Sequence, residues 1–134
     1  MRTLNVRLSL AAGAVLAIAA PAFGGGPSLA MLDQLESGRW ELRERGAPPQ
    51  QICVPSGRQL IQLRHPGAQC SPFVIEDTPA QVVVQYTCQG RGYGRTQIRR
   101  ETNRLVQIDS SGIVDGYPFE ISAEARRVGS CAGR

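Results

Sequence analysis

Apolar and polar residues alternate along most of the second half of the chain, with the period of two expected of strands that have one face on a core. The alternation is clearest in residues 81–109, where one face would carry Val82, Val84, Tyr86 and Cys88. A glycine-rich run at 89–94 reverses the chain, and a second turn follows at 102–103. These signals predict an antiparallel meander.

Shorter alternating segments predict strands on either side of this meander. Strands are expected at 39–44, at 51–54 and directly after Cys70. Turn residues at 110–112 and at 115–116 leave only a brief strand between them.

The last predicted strand begins at Tyr117 and has the most regular alternation. Pro118 lies on its polar face, which indicates an edge position or the start of the strand. The short connections leave little room for parallel crossovers, which need a dozen or more residues. We therefore predict an all-β domain, a strongly bent antiparallel sheet or partly open barrel of about seven strands. Its core is expected to contain Trp40, Leu42, Tyr86, Ile98, Phe119 and Ile121.

Two short helices are predicted in addition to the strands. Ser28 can cap a helix over residues 28–37, in which leucines recur at helical spacing before Gly38 ends it. A second helix over residues 56–65 begins at Ser56, with Gln59 at the spacing of a capping box.

Residues 1–22 have the three parts of a secretory signal. Arg2 and Arg7 precede an apolar run at 8–20, and Ala20-Pro21-Ala22 is a small-residue cleavage site. The run is shorter than the roughly 20 residues that a membrane-spanning helix needs. We therefore expect residues 23–134 to form a single domain, periplasmic or secreted, with no stable membrane span.

All four cysteines lie after the predicted signal, and an even number in an exported chain predicts two disulfides. Three pairings are possible. We favour Cys53–Cys70 and Cys88–Cys131, the first closing the base of the second helix and the second pinning the C-terminal tail to the meander. Zinc is the competing interpretation, but there is no Cys-x-x-Cys pair and the single histidine is not spaced to complete a site.

The sequence shows no recognisable catalytic group and predicts no cofactor or metal. His65, the only histidine, stands next to Pro66 and is expected to have a surface or capping role rather than to act as a general base. Glu76, Asp77, Asp109 and Asp115 fall at predicted strand ends and turns, where carboxylates commonly make local hydrogen bonds.

The glycine-rich turn and its return strand carry the candidate partner-binding residues Arg91, Tyr93, Arg95 and Arg99. Arginine and tyrosine are common anchors at interfaces. Nucleic acid is a poor match because removal of residues 1–22, with two arginines and no acid, lowers the formal charge from +4 to +2. The expected partner is an envelope protein or an anionic envelope component. The sequence does not predict an oligomeric state.

Several segments together resemble a known family. They are GRWEL at 38–42, ICV at 52–54, YTC at 86–88, GRTQIRRETNRLVQIDSSGI at 94–113 and EARRVGSC at 124–131. The chain resembles the bacterial exported proteins catalogued as domain of unknown function 3617, in their alphaproteobacterial form. The resemblance implies an exported, cysteine-bonded β protein and brings no catalytic residue.

We therefore expect a non-catalytic binding or structural module of the cell envelope. The Tyr-x-Cys strand followed by a glycine turn is also loosely similar to periplasmic inhibitors of lysozyme, which provide the alternative. A small hydrolase is the third interpretation.

Overall fold

The structure, a computed structural model, describes residues 13–17, 19 and 27–131. The cleavage site predicted after Ala22 and most of the predicted signal lie outside the described residues. Val15 and Leu16, which belong to the apolar run, are exposed. The domain itself is formed by residues 27–131.

Within residues 27–131, seven strands form one open antiparallel sheet: β1 (Gly38–Glu44), β2 (Gln50–Val54), β3 (Cys70–Asp77), β4 (Gln81–Cys88), β5 (Gly92–Thr102), β6 (Leu105–Val114) and β7 (Tyr117–Gly129). Their order is β2-β1-β7-β6-β5-β4-β3, so β2 and β3 are the edge strands. Strands β3 to β7 are a continuous meander, and β7 then lies beside β1. The prediction of an all-β domain with seven antiparallel strands and two short helices is confirmed.

The two short helices are α1 (Ala30–Gln34) and a 3₁₀ helix (Gly57–Gln62). Since the 3₁₀ helix lies between β2 and β3 in sequence, its segment crosses from one edge strand to the other. Leu60 and Ile61 are buried on the way. Ser56 begins this helix as predicted, and its hydroxyl accepts a hydrogen bond from the backbone two residues on.

Helix α1 is shorter than the predicted 28–37, and Ser28 does not cap it. Leu29 precedes the helix in the left-handed conformation, with φ of 53°. Its backbone N–H donates to Asp77 Oδ2 at 3.1 Å, so a carboxylate at the end of β3 fixes the start of the helix. Leu35 is already extended.

Helix α1 is tied to the 3₁₀ helix by a two-bond ion pair. Arg58 donates from Nε and Nη2 to the two carboxylate oxygens of Asp33, each at 2.9 Å. The hydrogen bond with Arg58, together with its charge, holds the pKa of Asp33 below its usual value.

The core lies between the helices and the inner face of the sheet. Trp40, Leu42, Tyr86 and Ile98 belong to one buried cluster, as predicted, together with leucines of both helices. Ile121 is also buried, at 3% exposure. The prediction is wrong for Phe119, which is only half-buried because the start of β7 extends past the end of β1.

The number of disulfides is confirmed, but the favoured pairing is wrong. The terminal disulfide joins Cys53 to Cys131, and the hairpin disulfide joins Cys70 to Cys88. Cys70 and Cys88 lie directly opposite each other at the open end of the β3–β4 hairpin. Cys53 reaches Cys131 because β2 and the end of β7 lie on either side of β1. Disulfides of this structural kind indicate an oxidising environment outside the cytoplasm.

The turn predicted at 110–112 does not form, because β6 continues through it. Ser110 is buried and its hydroxyl lies 2.7 Å from that of Thr96 on β5, so a polar residue is accommodated inside the sheet. Gly112 is needed where the strands approach closely, since a Cβ there would lie 2.1 Å from Tyr93 O. Two residues that favour turns therefore serve a strand.

Candidate functional site

Three of the four candidate residues share one surface. Tyr93, Arg95 and Arg99 alternate with buried residues along β5, and all three are exposed on the outer face of the sheet, away from the helices. Arg91 lies directly before β5, in the turn that joins β4 to β5. We call these four residues the β5 strip. Tyr93, Arg95 and Arg99 form a row along a central strand and Arg91 lies just before it, so the four are not a compact cluster.

Two of the three arginines in the β5 strip are already paired with acids. Arg91 Nε lies 2.9 Å from Asp115 Oδ1, and Arg99 Nη1 lies 3.4 Å from Glu101 Oε1. Arg95 makes no ion pair with any residue that the structure describes. Its guanidinium is therefore the most available of the three to a partner.

A depression of about 190 Å³ adjoins Arg95 on the outer face. It is lined by Arg95, Gln97, Asp109, Ser110, Ser111, Glu120 and Ile121. One guanidinium faces two carboxylates there, so the depression offers both hydrogen-bond donors and acceptors. Tyr93, 51% exposed, is the next outward residue along β5 and adds an aromatic surface.

The glycines around the β5 strip are required by close packing. A Cβ on Gly94 would lie 2.5 Å from the Tyr86 ring, which packs under the strand. A Cβ on Gly92 would lie 1.9 Å from Ile113 O, and Gly92 also has a φ of +115° that favours glycine. Gly92 and Gly94 therefore allow β5 to pack closely against Ile113 and Tyr86.

His65 is fully buried, so the prediction of a surface or capping role is wrong. Its Nε2 lies 3.1 Å from the carbonyl oxygens of both Arg91 and Ile113. Because both neighbours can only accept, Nε2 carries the proton. Nδ1 then accepts from the Tyr86 hydroxyl, 3.0 Å away. His65 thus ties the segment after the 3₁₀ helix to the ends of two hairpins.

A second set of buried hydrogen bonds lies between Ser110 and the 3₁₀ helix. Burial raises the pKa of the Tyr86 phenol, and the Ser110 hydroxyl beside it acts in the opposite direction. Ser110 in turn lies against Thr96, whose hydroxyl donates to the Ile61 carbonyl. We call His65, Tyr86, Thr96 and Ser110 the buried polar network. Sequence reasoning missed it, because its members come from four separate segments.

Catalytic and metal sites need reactive or ligating side chains that lie close together. Within residues 27–131 no three His, Cys, Asp or Glu side chains are grouped closely enough to hold a metal ion. All four cysteines are in disulfides. Both ring nitrogens of His65 are engaged, one by the Tyr86 hydroxyl and the other by two backbone carbonyls. Among the candidate residues, Tyr93 and Arg95 are exposed on the outer face.

The fold and surface define a small disulfide-bonded β domain with a polar outer face. The chain matches no family model, and comparison with curated proteins and with solved structures gives no significant match. Among the helices that the structure describes, none has the length and apolar character needed to cross a membrane.

Proposed function

We propose that this protein is a non-catalytic binding module that works outside the cytoplasm, in the cell envelope. The two disulfides support the compartment, since such bonds persist in oxidising surroundings. The charged, apolar and small-residue regions of 1–22 support export.

The observation that carries the proposal is the exposure of Tyr93 beside Arg95 on a central strand. Tyr93 is 51% exposed, and Arg95 lacks an ion pair within the described residues. β5 is hydrogen-bonded on both sides, to β4 and to β6, so its side chains are displayed on a rigid support. Tyrosine and arginine held in this way are the residue types that most often anchor interfaces.

The state of His65 supports binding over catalysis. A general base must reach the proton that it abstracts, within about 2.6–3.2 Å. His65 has no exposed surface, and its ring nitrogens are occupied by Tyr86 and two backbone carbonyls. Its role is to hold the hairpins that display the β5 strip.

The partner that fits the strip is an envelope protein or component with acidic and hydrogen-bonding groups. Arg95 provides a fork of donors for a carboxylate, and the nearby Asp109 and Glu120 accept hydrogen bonds from the same partner. Contacts of this exposed kind weaken with salt, because charges are screened within about 10 Å at 0.1 M ionic strength.

The test is a pull-down from envelope extract at low and high salt. The site variant is Tyr93→Ala with Arg95→Ala. The matched control is Tyr117→Ala with Arg45→Ala, which removes the same two residue types at exposed positions outside the β5 strip. We expect the site variant to lose a partner that the wild type and the control retain.

Lysozyme activity is measured in parallel, since inhibition by the wild type and the control but not by the site variant would identify lysozyme as that partner. If the site variant keeps the same partners as the control across the salt series, the assignment of the β5 strip is wrong.

A further inference from the structure

A small cavity lies on the inner face of the sheet, between β1, β2, β7 and the segment at the end of the 3₁₀ helix. It has a volume of about 80 Å³. We call it the inner cavity. It is on the opposite face of the sheet from the β5 strip, so neither site depends on the other. Its apolar lining comes from all four segments: Leu42, Ile52, Leu63, Ile121 and Ala123.

The register of the sheet brings the lining residues to one place. On β1, Leu42 lies opposite Gln50 of β2. Glu44, further along β1, lies opposite Ala123 of β7. Alternate residues of a strand share a face, and Leu42 belongs to the core, so all four side chains are on the inner face. Arg64 faces them from the segment after the 3₁₀ helix, and its Nη2 donates to Glu44 Oε1 at 2.7 Å.

The inner cavity has a buried apolar floor and a polar mouth. The floor residues Leu42, Ile121 and Ala123 are 9%, 3% and 6% exposed. At the mouth, the side chains of Glu44 and Arg64 are 24% and 38% exposed. A ligand can therefore reach the ion pair from solvent and place an apolar group behind it.

The ion pair retains hydrogen-bonding capacity for a ligand. Within residues 27–131, the hydrogen bond from Arg64 Nη2 to Glu44 Oε1 is the only one that either side chain makes. A guanidinium has five N–H donors and a carboxylate accepts on both oxygens, so donors and acceptors remain. Gln50, also at the mouth, adds an amide that both donates and accepts.

The balance of charge at the mouth selects the kind of ligand. One guanidinium faces one carboxylate, so their charges cancel. A free anion would be repelled by Glu44 and a free cation by Arg64, whereas a neutral group with a donor and an acceptor satisfies both. The inner cavity therefore favours a neutral polar group that carries a small apolar end.

An acetamido group, a methyl joined to a secondary amide, has this polarity and size. A cavity of roughly 10–15 Å³ holds one water molecule, so about 80 Å³ has room for a group of a few heavy atoms. The methyl fits the apolar floor. The amide N–H donates to Glu44, and the carbonyl accepts from Arg64 or Gln50.

We propose that the inner cavity binds an acetamido group, carried either by an N-acetylated amino sugar or by an acetylated peptide. Burial of the methyl favours binding through the hydrophobic effect, and hydrogen bonds to charged partners are the stronger kind. An alcohol in place of the amide leaves the floor unfilled, so the same contacts give specificity.

The first experiment is an NMR titration of the isotope-labelled protein. N-acetylglucosamine is compared with glucose, which has a hydroxyl in place of the acetamido group. We expect the methyl signals of Leu63 and Ala123 to shift with N-acetylglucosamine and not with glucose. Saturation of the protein signals should transfer to the acetyl methyl, because that methyl contacts the floor.

The site variant is Glu44→Ala with Arg64→Ala, which removes both members of the ion pair and leaves no unpaired charge. The matched control is Glu41→Ala with Arg43→Ala, since that ion pair has the same 2.7 Å separation but lies on the outer face. We expect roughly tenfold or greater weakening in the site variant, because charge-assisted hydrogen bonds are lost. The control should stay within about twofold of the wild type.

Two further variants keep the result interpretable. Ala123→Val narrows the floor and keeps both charges, and should also weaken binding roughly tenfold because the methyl loses its place. Arg64→Gln alone removes one half-exposed guanidinium and serves if the double variant unfolds. It should weaken binding less than the double variant does.

The second experiment identifies the source of the acetamido group with N-acetylalanine methylamide, an acetylated peptide unit. Binding of the sugar alone assigns the group to an amino sugar, and binding of the peptide unit alone assigns it to a peptide. Equal binding shows that the acetamido group is sufficient for recognition. The proposal is overturned if neither ligand shifts the cavity signals, if glucose binds as tightly as N-acetylglucosamine, or if the folded site variants bind as tightly as the control.

Discussion

Replacing Tyr86 with phenylalanine deletes one buried hydroxyl, and we expect it to destabilise the domain by about 1–3 kcal/mol. The hydroxyl lies 3.0 Å from His65 Nδ1, and His65 has no exposed surface. In the neutral ring Nε2 donates to the two carbonyls, so Nδ1 accepts from the Tyr86 hydroxyl. The phenylalanine variant leaves this buried nitrogen without its donor, and an unpaired buried acceptor costs its full desolvation penalty.

Thermal unfolding measures this effect directly. In a domain of about 100 residues, each kcal/mol lowers Tm by roughly 4–8 °C. The control is Tyr93→Phe, which deletes the same hydroxyl from a side chain that is 51% exposed. Exposed changes of this kind stay within about 0.5 kcal/mol. Equal Tm values for the two variants would refute the role assigned to the buried polar network.

The same variant has a predicted pH dependence. Burial raises the pKa of the Tyr86 phenol. The unfolded chain releases this proton near pH 10, while the folded domain holds it to higher pH. The stability from the neutral phenol is therefore complete below about pH 10 and is lost as pH rises through the folded pKa. As the pH rises above about 10, the free energy of unfolding should fall less for Tyr86→Phe than for the wild type. Equal decreases in the two proteins would contradict the link between the Tyr86 proton and stability.

Two further predictions concern covalent links and close packing. Loop-closure entropy gives about 4.5 kcal/mol for the terminal disulfide and about 3 kcal/mol for the hairpin disulfide, whose cysteines are 78 and 18 residues apart. One variant replaces both cysteines of the terminal disulfide with serine, and the other replaces both cysteines of the hairpin disulfide. Denaturant unfolding should show the larger loss of stability in the first variant. The reverse order would exclude loop entropy as the main source of disulfide stabilisation. Gly94→Ala should destabilise the domain by about 1–3 kcal/mol, because its Cβ would overlap the rigid Tyr86 ring. The control is Gly129→Ala, whose Cβ would have no atom nearer than 3.6 Å. Equal Tm values for the two variants would show that the Tyr86 ring moves aside at little cost.

The central meander was predictable because its alternation is local. Val82, Val84 and Tyr86 are all buried on β4, and Thr96 and Ile98 continue the same face on β5. A strand with one face on a core must repeat every two residues, so the faces follow once the period is recognised. The outward direction of Tyr93, Arg95 and Arg99 follows from the same period.

The features that could not be predicted depend on distant partners. His65 binds Tyr86 and two carbonyls that lie 21, 26 and 48 residues further along the chain. Nothing near Pro66 indicates that these groups would surround the ring. Burial of a polar residue is possible only when such partners are supplied, and the chain supplies them by folding.

The disulfide pairing did leave a signal in the sequence. Cys70 and Cys88 are equidistant from the turn that joins β3 to β4, which places them opposite each other in a hairpin. Recognising both strands and the turn would have selected this pair.

Pro72 and Pro118 each lie where one side of a strand has no neighbouring strand. Both disfavour binding by addition of a partner strand, which favours recognition through side chains. The Cα atoms of Cys70 and Cys88 are 4.1 Å apart, the spacing of a pair without mutual hydrogen bonds. Pro72 follows two residues after Cys70, so its backbone nitrogen points away from β4 and towards the free edge. Any residue other than proline would offer an N–H there to an added strand.

Pro118 has the corresponding place on β7. The Ser122 carbonyl accepts from Arg45 on the side of β1, and Pro118, four residues earlier, faces the same side where β1 has ended. Each proline removes a donor from a free edge, a common protection against added strands. A partner is therefore expected to engage the outer face through residues such as Tyr93 and Arg95, and the side-chain variants are the appropriate test.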